Sequence, residues 1–344
     1  MRPVTYPVNV VDREFKNPLH KQIYDTAVYT LKCCMHAHYE DCPWREQALY
    51  ALDSRNQMLS GYYAFNEYRF ARHSLVLLSR AYLKDVKLLN LTYPKMTELP
   101  IPFFSLIYFV QVYEYVLHSG DKSILDEVKD VLDGIMQGFI DRVDENGLIP
   151  TFPYPCWNFY EWTDGNHNEL EIGRKRFDPY ALRYDLMLNA MFVYACSFYG
   201  KLTGKNMDLS KTVTAIKETF YDEKRGLYRS NDKGGNFSVL ANAFAILCGA
   251  ADKTLAKKII EERGSLIDIS LSMNGFLYEA LLSADRSFKD YIVKDIEDKY
   301  GYMLSCGATT FWETILGAKD FNGAGSLCHG WSAIPVYWLT KLVD

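Results

Sequence analysis

Two short segments near opposite ends of a 344-residue chain carry the residue types that acid–base chemistry needs: Asp41-Cys42-Pro43-Trp44-Arg45-Glu46-Gln47 and Gly307-Ala308-Thr309-Thr310-Phe311-Trp312-Glu313. Each sets a carboxylate among aromatic side chains. A pair of carboxyls brought together cleaves a glycosidic bond, one protonating the departing oxygen and the other activating water. Glu46 is the natural proton donor of the first segment, because burial among Trp44, Tyr50 and neighbouring carboxylates would raise its pKa. Asp41 and Asp53 are expected to stay ionised and to contact sugar hydroxyls.

If helix begins near Trp44, then Glu46, Tyr50 and Asp53 fall at i, i+4 and i+7 and share one face. The competing reading is an acidic first turn, with Asp41 as N-cap and Asp53 paired with Arg55 or Arg72. In mid-chain, Pro153 to Asp164 gathers Tyr154, Trp157, Tyr160 and Trp162 beside Glu161 and Asp164. Sugars present an apolar face and a polar rim, so this mixture suits a sugar site. It equally suits an aromatic plug at one end of a barrel. Ser326-Leu327-Cys328-His329-Gly330-Trp331-Ser332 offers a histidine apt for a ligand hydrogen bond or for a structural one. No histidine or cysteine spacing suggests a metal, and no nucleophile elbow, phosphate loop, dinucleotide fingerprint, HExxH or aspartate-rich run is present. No cofactor is expected.

These residues need elements to bring them together. From about Pro18, apolar residues recur at steps of three and four, as in Ile23, Ala27, Thr30, Leu31 and Cys34. Similar segments follow at about 44–65, 67–84, 99–118, 122–143, 179–203, 208–219, 237–249, 253–262, 270–284, 286–299 and 327–341. Ser119-Gly120-Asp121 and Gly200 to Gly204 are among the turns between them. More apolar segments alternate with more charged ones, which suits an inner and an outer ring. The expected fold is all-α, an (α/α)6 barrel over 17–344, preceded by an extended lead over 1–16 that carries Pro3 and Pro7. The longest non-helical stretch, about Ile149 to Arg176, is expected to be functional.

Composition excludes other classes. A net charge of −5 and the absence of a basic stripe argue against nucleic acid. No apolar stretch approaches the ~20 residues of a membrane span. Met1 to Thr5 lacks the apolar core of a secretory signal, so a cytoplasmic location is expected. Eight cysteines without CxxC spacing read as buried free thiols in a reducing compartment.

The run Asp41-Cys42-Pro43-Trp44-Arg45-Glu46-Gln47-Ala48-Leu49-Tyr50-Ala51-Leu52-Asp53-Ser54-Arg55-Asn56-Gln57 resembles a signature of the bacterial α-L-rhamnosidases of glycoside hydrolase family 78. Gly307 to Thr314 resembles the family's GATTxWE segment, Ser326 to His329 its SLxH segment, and Trp157 to Trp162 its W-x-F-x-D-W loop. The resemblance implies a six-hairpin catalytic barrel that hydrolyses terminal α-L-rhamnosides with inversion. It implies Glu46 as general acid, Glu313 as general base, Asp41 and Asp53 as accessory acids, and Tyr50, Trp162 and His329 at the sugar. Trp157, Asp164 and Trp331 join them as binding candidates. An inverting pair should stand roughly 6.5–9.5 Å apart, and a retaining one about 5 Å. Leu52 stands where the family has glycine, and Glu161 where it has aspartate. The family also carries β-sandwich domains, which are expected here as missing companions of the barrel. Two alternatives remain: a sugar-binding barrel without catalysis, and a glycosidase or lyase for uronides served by Arg45, Arg174 and Arg176.

Overall fold

The computed structural model describes residues 5–97, 99–153, 155–166 and 183–343. Among them, twelve α-helices run as six hairpins. They are α1 (Pro18–Cys33) with α2 (Ala51–Phe65), α3 (Arg69–Ser79) with α4 (Pro102–Ser119), and α5 (Leu125–Ile140) with α6 (Leu186–Thr203). The remaining three are α7 (Ser210–Phe220) with α8 (Val239–Leu247), α9 (Lys253–Glu261) with α10 (Asn274–Ala284), and α11 (Lys289–Ser305) with α12 (Pro335–Val343). The expected all-α toroid is the observed one.

Residue type decides which helix goes inside. In α9 only Leu255, Ala256 and Ile259 are buried, a single stripe that faces the barrel while its lysines face water. Its neighbour α8 is buried from Val239 through Ile246, which requires protein on every side. The even-numbered helices accordingly form the inner ring, with α2 on α4, α4 on α6, α6 on α8, α8 on α10 and α12 on α2. The ring closes where Tyr278 of α10 meets Trp338 of α12 edge to face, centroids 5.5 Å apart. Inside it, the fully buried Arg55 of α2 pairs with Glu114 of α4 at 2.5 Å and with Glu279 of α10. Tyr194 of α6 donates to the same Glu279, so one cation ties four inner helices together.

The hairpin turns follow the sequence signals. Gly120 and Gly204 end α4 and α6 at φ 73° and 77°, the left-handed conformation that glycine adopts without strain. Two small ribbons were not anticipated: β1 (Tyr82–Leu83) with β2 (Leu88–Leu89), and β3 (Tyr221–Asp222) with β4 (Leu227–Tyr228), both antiparallel. The last segment also starts differently, as a 3₁₀ turn at Gly330–Ala333, with α12 beginning at Pro335, where a missing N–H costs nothing. Residues 179–182 of the expected sixth helix, and Arg174 and Arg176, lie outside the described residues, as does Tyr154.

The lead lies on the barrel. Tyr6 N–H donates to the Met35 carbonyl at 2.8 Å, Val11 N–H to that of Ala64 at 2.7 Å, and the Tyr6 ring packs on Phe70. All eight cysteines are free thiols; five are buried, Cys33 and Cys328 half-buried, and Cys306 exposed. No described helix is long and apolar enough to cross a membrane.

Candidate active site

Each hairpin sends its chain from an outer helix to the N-terminus of an inner one at the same end of the barrel, and a cavity of about 830 Å³ opens there. The α1–α2 connection supplies Asp41, Arg45, Glu46 and Tyr50, and the first turn of α2 adds Leu52 and Asp53. Trp157, Phe159, Glu161 and Trp162 come from the α5–α6 connection. The α11–α12 connection gives Glu313, Phe321, His329 and Trp331. The two acidic segments of the sequence therefore meet at one mouth. Leu91, Leu99, Ile101 and Phe104 form an apolar wall of the same cavity.

The first segment is a closed loop, not a helix. Asp41 and Ala48 exchange bonds, the Ala48 N–H reaching Asp41 Oδ1 at 2.8 Å and the Asp41 N–H reaching the Ala48 carbonyl at 3.0 Å. Gln47 turns back at φ 54° and its side chain donates to the Pro43 carbonyl. With the loop so closed, α2 starts only at Ala51, Tyr50 caps it without a side-chain bond, and Glu46, Tyr50 and Asp53 share no helical face. Tyr50 Oη donates to Glu46 Oε2 at 3.0 Å instead, which aims the carboxylate from the loop. Nor does Asp53 pair as the competing reading had it, since Arg55 is held by Glu114 and Arg72 by Asp121 and Glu127.

Burial falls on the other acids. Glu46 is exposed and Trp44 is 68% exposed, whereas Asp41 and Asp53 are 2% and 3% exposed. Desolvation, helped by the nearby Glu46, pushes Asp41 up to about 7 against its bonds to Cys42 and the Ala48 N–H. Desolvation, then the charges of Asp41 and Glu46, hold Asp53 well above the usual carboxylate range. The expected burial of Glu46 is therefore not observed: the buried acids, with raised pKa, are the two aspartates. Tyr50 is raised too, by burial and by the same three carboxylates.

Glu313 reaches the cavity from a loop, where the surrounding glycines placed it. Its Oε2 accepts from the Ser326 N–H at 2.9 Å, and Arg45 donates to both oxygens at 2.8 and 3.1 Å. Burial raises its pKa, opposed by the Ser326 N–H and the Arg45 charge. These donors, one of them a cation, favour the ionised form of the carboxylate. Sequence reasoning offered Arg45 only to a sugar carboxylate; its pairing with Glu313, 268 residues away, has no local signal.

His329 lies between the aspartates. Its Nε2 is 4.0 Å from Asp41 Oδ2 and its Nδ1 3.8 Å from Asp53 Oδ1, too long for direct hydrogen bonds. Burial, then the Arg45 charge, lowers its pKa well below the usual range, so the ring is neutral. His329 Nδ1 and Asp41 Oδ2 are buried polar atoms without a hydrogen-bond partner among the described residues. Such atoms are costly unless a ligand satisfies them. Trp331 fixes the imidazole by packing on it at 3.8 Å between ring centroids, and its indole N–H donates to the Glu313 carbonyl.

The aromatic loop frames the mouth. Trp162 is 38% exposed and meets the rings of Phe159, Trp157 and Phe321 at 4.8, 5.8 and 5.4 Å. Of the expected binding residues, Tyr50, Trp157, Trp162, His329 and Trp331 line the cavity, whereas Asp164 is exposed and outside its described lining. Phe321 and the apolar wall were not anticipated, since they carry no polar group to mark them. No described group of three or more metal-ligating side chains is placed to hold an ion.

The sequence matches the bacterial alpha-L-rhamnosidase six-hairpin glycosidase domain over residues 14–343. No curated protein matches it. Among solved structures, a family 78 rhamnosidase of Bacillus sp. GL1 is similar at TM-score 0.82 and 24% identity, covering 98% of this chain and 36% of that one. A rhamnosidase from Klebsiella oxytoca with rhamnose bound gives 0.81 and 18%, covering 98% and 66%. A family 63 mannosylglycerate hydrolase from Thermus thermophilus gives 0.65 and 12%, covering 92% of this chain and 100% of that one. The chain thus spans about a third of the Bacillus rhamnosidase.

Proposed function

We propose that this chain, which belongs to the family of the bacterial alpha-L-rhamnosidase six-hairpin glycosidase domain, is an inverting glycoside hydrolase that releases a terminal α-L-rhamnose or a similar sugar. The observation that carries this reading is the meeting of Glu46 and Glu313 from opposite ends of the chain over one aromatic-walled cavity. Glu46, aimed by Tyr50, delivers a proton to the departing oxygen. Glu313, whose ionised form Arg45 and the Ser326 N–H favour against burial, takes a proton from the attacking water. The orphaned atoms of Asp41 and His329 receive the sugar hydroxyls, and Trp162 stacks on the ring.

The uronide reading loses one of its three arginines, since Arg45 is engaged by Glu313, while Arg174 and Arg176 lie outside the described residues. Replacement of Glu313 by glutamine should lower kcat/KM on 4-nitrophenyl α-L-rhamnoside by about 10²–10⁴-fold without unfolding the chain. Glu46→Gln should lose less on this substrate than on an alkyl rhamnoside, since nitrophenolate departs without help. Undiminished turnover in Glu313→Gln would refute the assignment.

A further inference from the structure

We propose that Glu161 is a positioning residue that clamps the aromatic loop onto the segment before α10 and so sets the Trp162 plate against which the substrate sugar stacks. The inference rests on the hydrolase reading for its substrate, but the clamp itself is a matter of geometry. Glu161 is fully buried in the cavity wall. One oxygen accepts from Asn166 Nδ2 at 2.6 Å, and the other from the Ser270 N–H at 2.6 Å and Thr163 Oγ1 at 3.2 Å. Two of these donors belong to its own loop and one to the chain leading into α10, 109 residues away. Asn166 adds a longer bond to the Asp268 carbonyl, and Gly165 packs on Ile267. The next residue, Trp162, packs on the rings of its own loop and on Phe321, so its orientation follows where the loop is pinned.

Reach, not charge, is what this role requires. The carboxylate spans from the loop to the Ser270 N–H, and aspartate, one methylene shorter, cannot hold both Asn166 and Ser270. Glutamine can, because the Asn166 amide has an unpartnered Oδ1 and can turn to accept from the new amide.

Kinetics on 4-nitrophenyl α-L-rhamnoside and a ligand-free readout test the proposal together. Glu161→Ala and Glu161→Asp should raise KM roughly tenfold with kcat within about threefold, and Glu161→Gln should recover most of the lost affinity. In a Trp162→Ala background Glu161→Ala should raise KM no further, because the two act as one unit. Without substrate, Glu161→Ala should change acrylamide quenching of the fluorescence component that Trp162→Phe removes. Asn166→Ala, which keeps the carboxylate and removes one donor, should move both readouts the same way and serves if Glu161→Ala does not fold. An additive double variant, a kcat loss at constant KM, or Trp162 quenching unaltered in both Glu161→Ala and Asn166→Ala would overturn the proposal. Absence of any hydrolysis by the wild type would refute the hydrolase reading and leave the quenching result to decide the clamp.

Discussion

At the scale of single residues, the site sets an exposed Glu46 beside the buried Asp41, Asp53 and Glu313. The side chains that carry the proposed chemistry were legible in the sequence by type and by company, and Asp41, Glu46, Asp53 and Glu313 do converge. Which of them are buried was not legible, because that depends on how the Asp41–Ala48 loop closes and on which residues arrive from the far end of the chain. The Arg45–Glu313 pair is the most consequential of these arrivals. Its cation, with the Ser326 N–H, opposes the burial that raises Glu313, so its loss leaves only the Ser326 N–H against burial and the carboxyl pKa rises further. A base works only when deprotonated, so Arg45→Gln should move the acid limb of the pH dependence of kcat/KM upward. An unmoved limb in a pH–rate profile would show that Arg45 does not tune this carboxylate.

At the scale of elements, the work is done by connections into the inner helices rather than by helices. Period-3.6 patterning revealed the twelve helices because each must bury one face or all of it, and that demand is written locally. The stretch 44–50, expected as helix, is loop: its apolar and acidic residues fit a helical face equally well, but Pro43, the Asp41–Ala48 bonds and the turn at Gln47 win over that periodicity. A similar constraint holds the other side of the site. Gly330 donates its N–H to the Asp41 carbonyl at 2.6 Å, and a Cβ there would lie 2.1 Å from Gln57 Nε2 and 2.9 Å from the Glu40 carbonyl oxygen. Gly330→Ala must therefore push the 3₁₀ turn off α2 and carry His329 away from the aspartates. It should cost about 1–3 kcal/mol of stability in denaturant unfolding and weaken substrate binding more than the folding change explains. Wild-type stability and KM in this variant would contradict the packing account.

At the scale of the whole molecule, the barrel concentrates buried carboxyls around its axis and its mouth. Burial, against Arg55, holds Glu114 at about 7; burial, against its three donors, puts Glu161 there; and Asp41 joins them. Each binds a proton in the folded chain at a pH where the unfolded chain has released it. Their contributions to stability are therefore full below about pH 4 and are lost as pH rises through about 7. The buried neutral His329 and His118 act in the opposite sense, opposing folding below about 6.5, but are fewer. The melting temperature should decline between about pH 5 and 7.5, and Glu161→Gln should flatten that decline; a rising melting temperature in calorimetry would contradict the assignment. The fold class and the family were legible along nearly the whole chain, since ring closure needs only twelve patterned helices in order. The cavity's apolar wall was not, because Leu91, Leu99, Ile101 and Phe104 look like core until the toroid leaves them facing a mouth. The proposed chemistry at this mouth is cleavage of a glycoside by single displacement between Glu46 and Glu313. Proton NMR of the sugar released in the first minutes from 4-nitrophenyl α-L-rhamnoside tests it most directly. The β-anomer should appear first and relax to the equilibrium mixture, and first appearance of the α-anomer, or no release at all, would contradict the account.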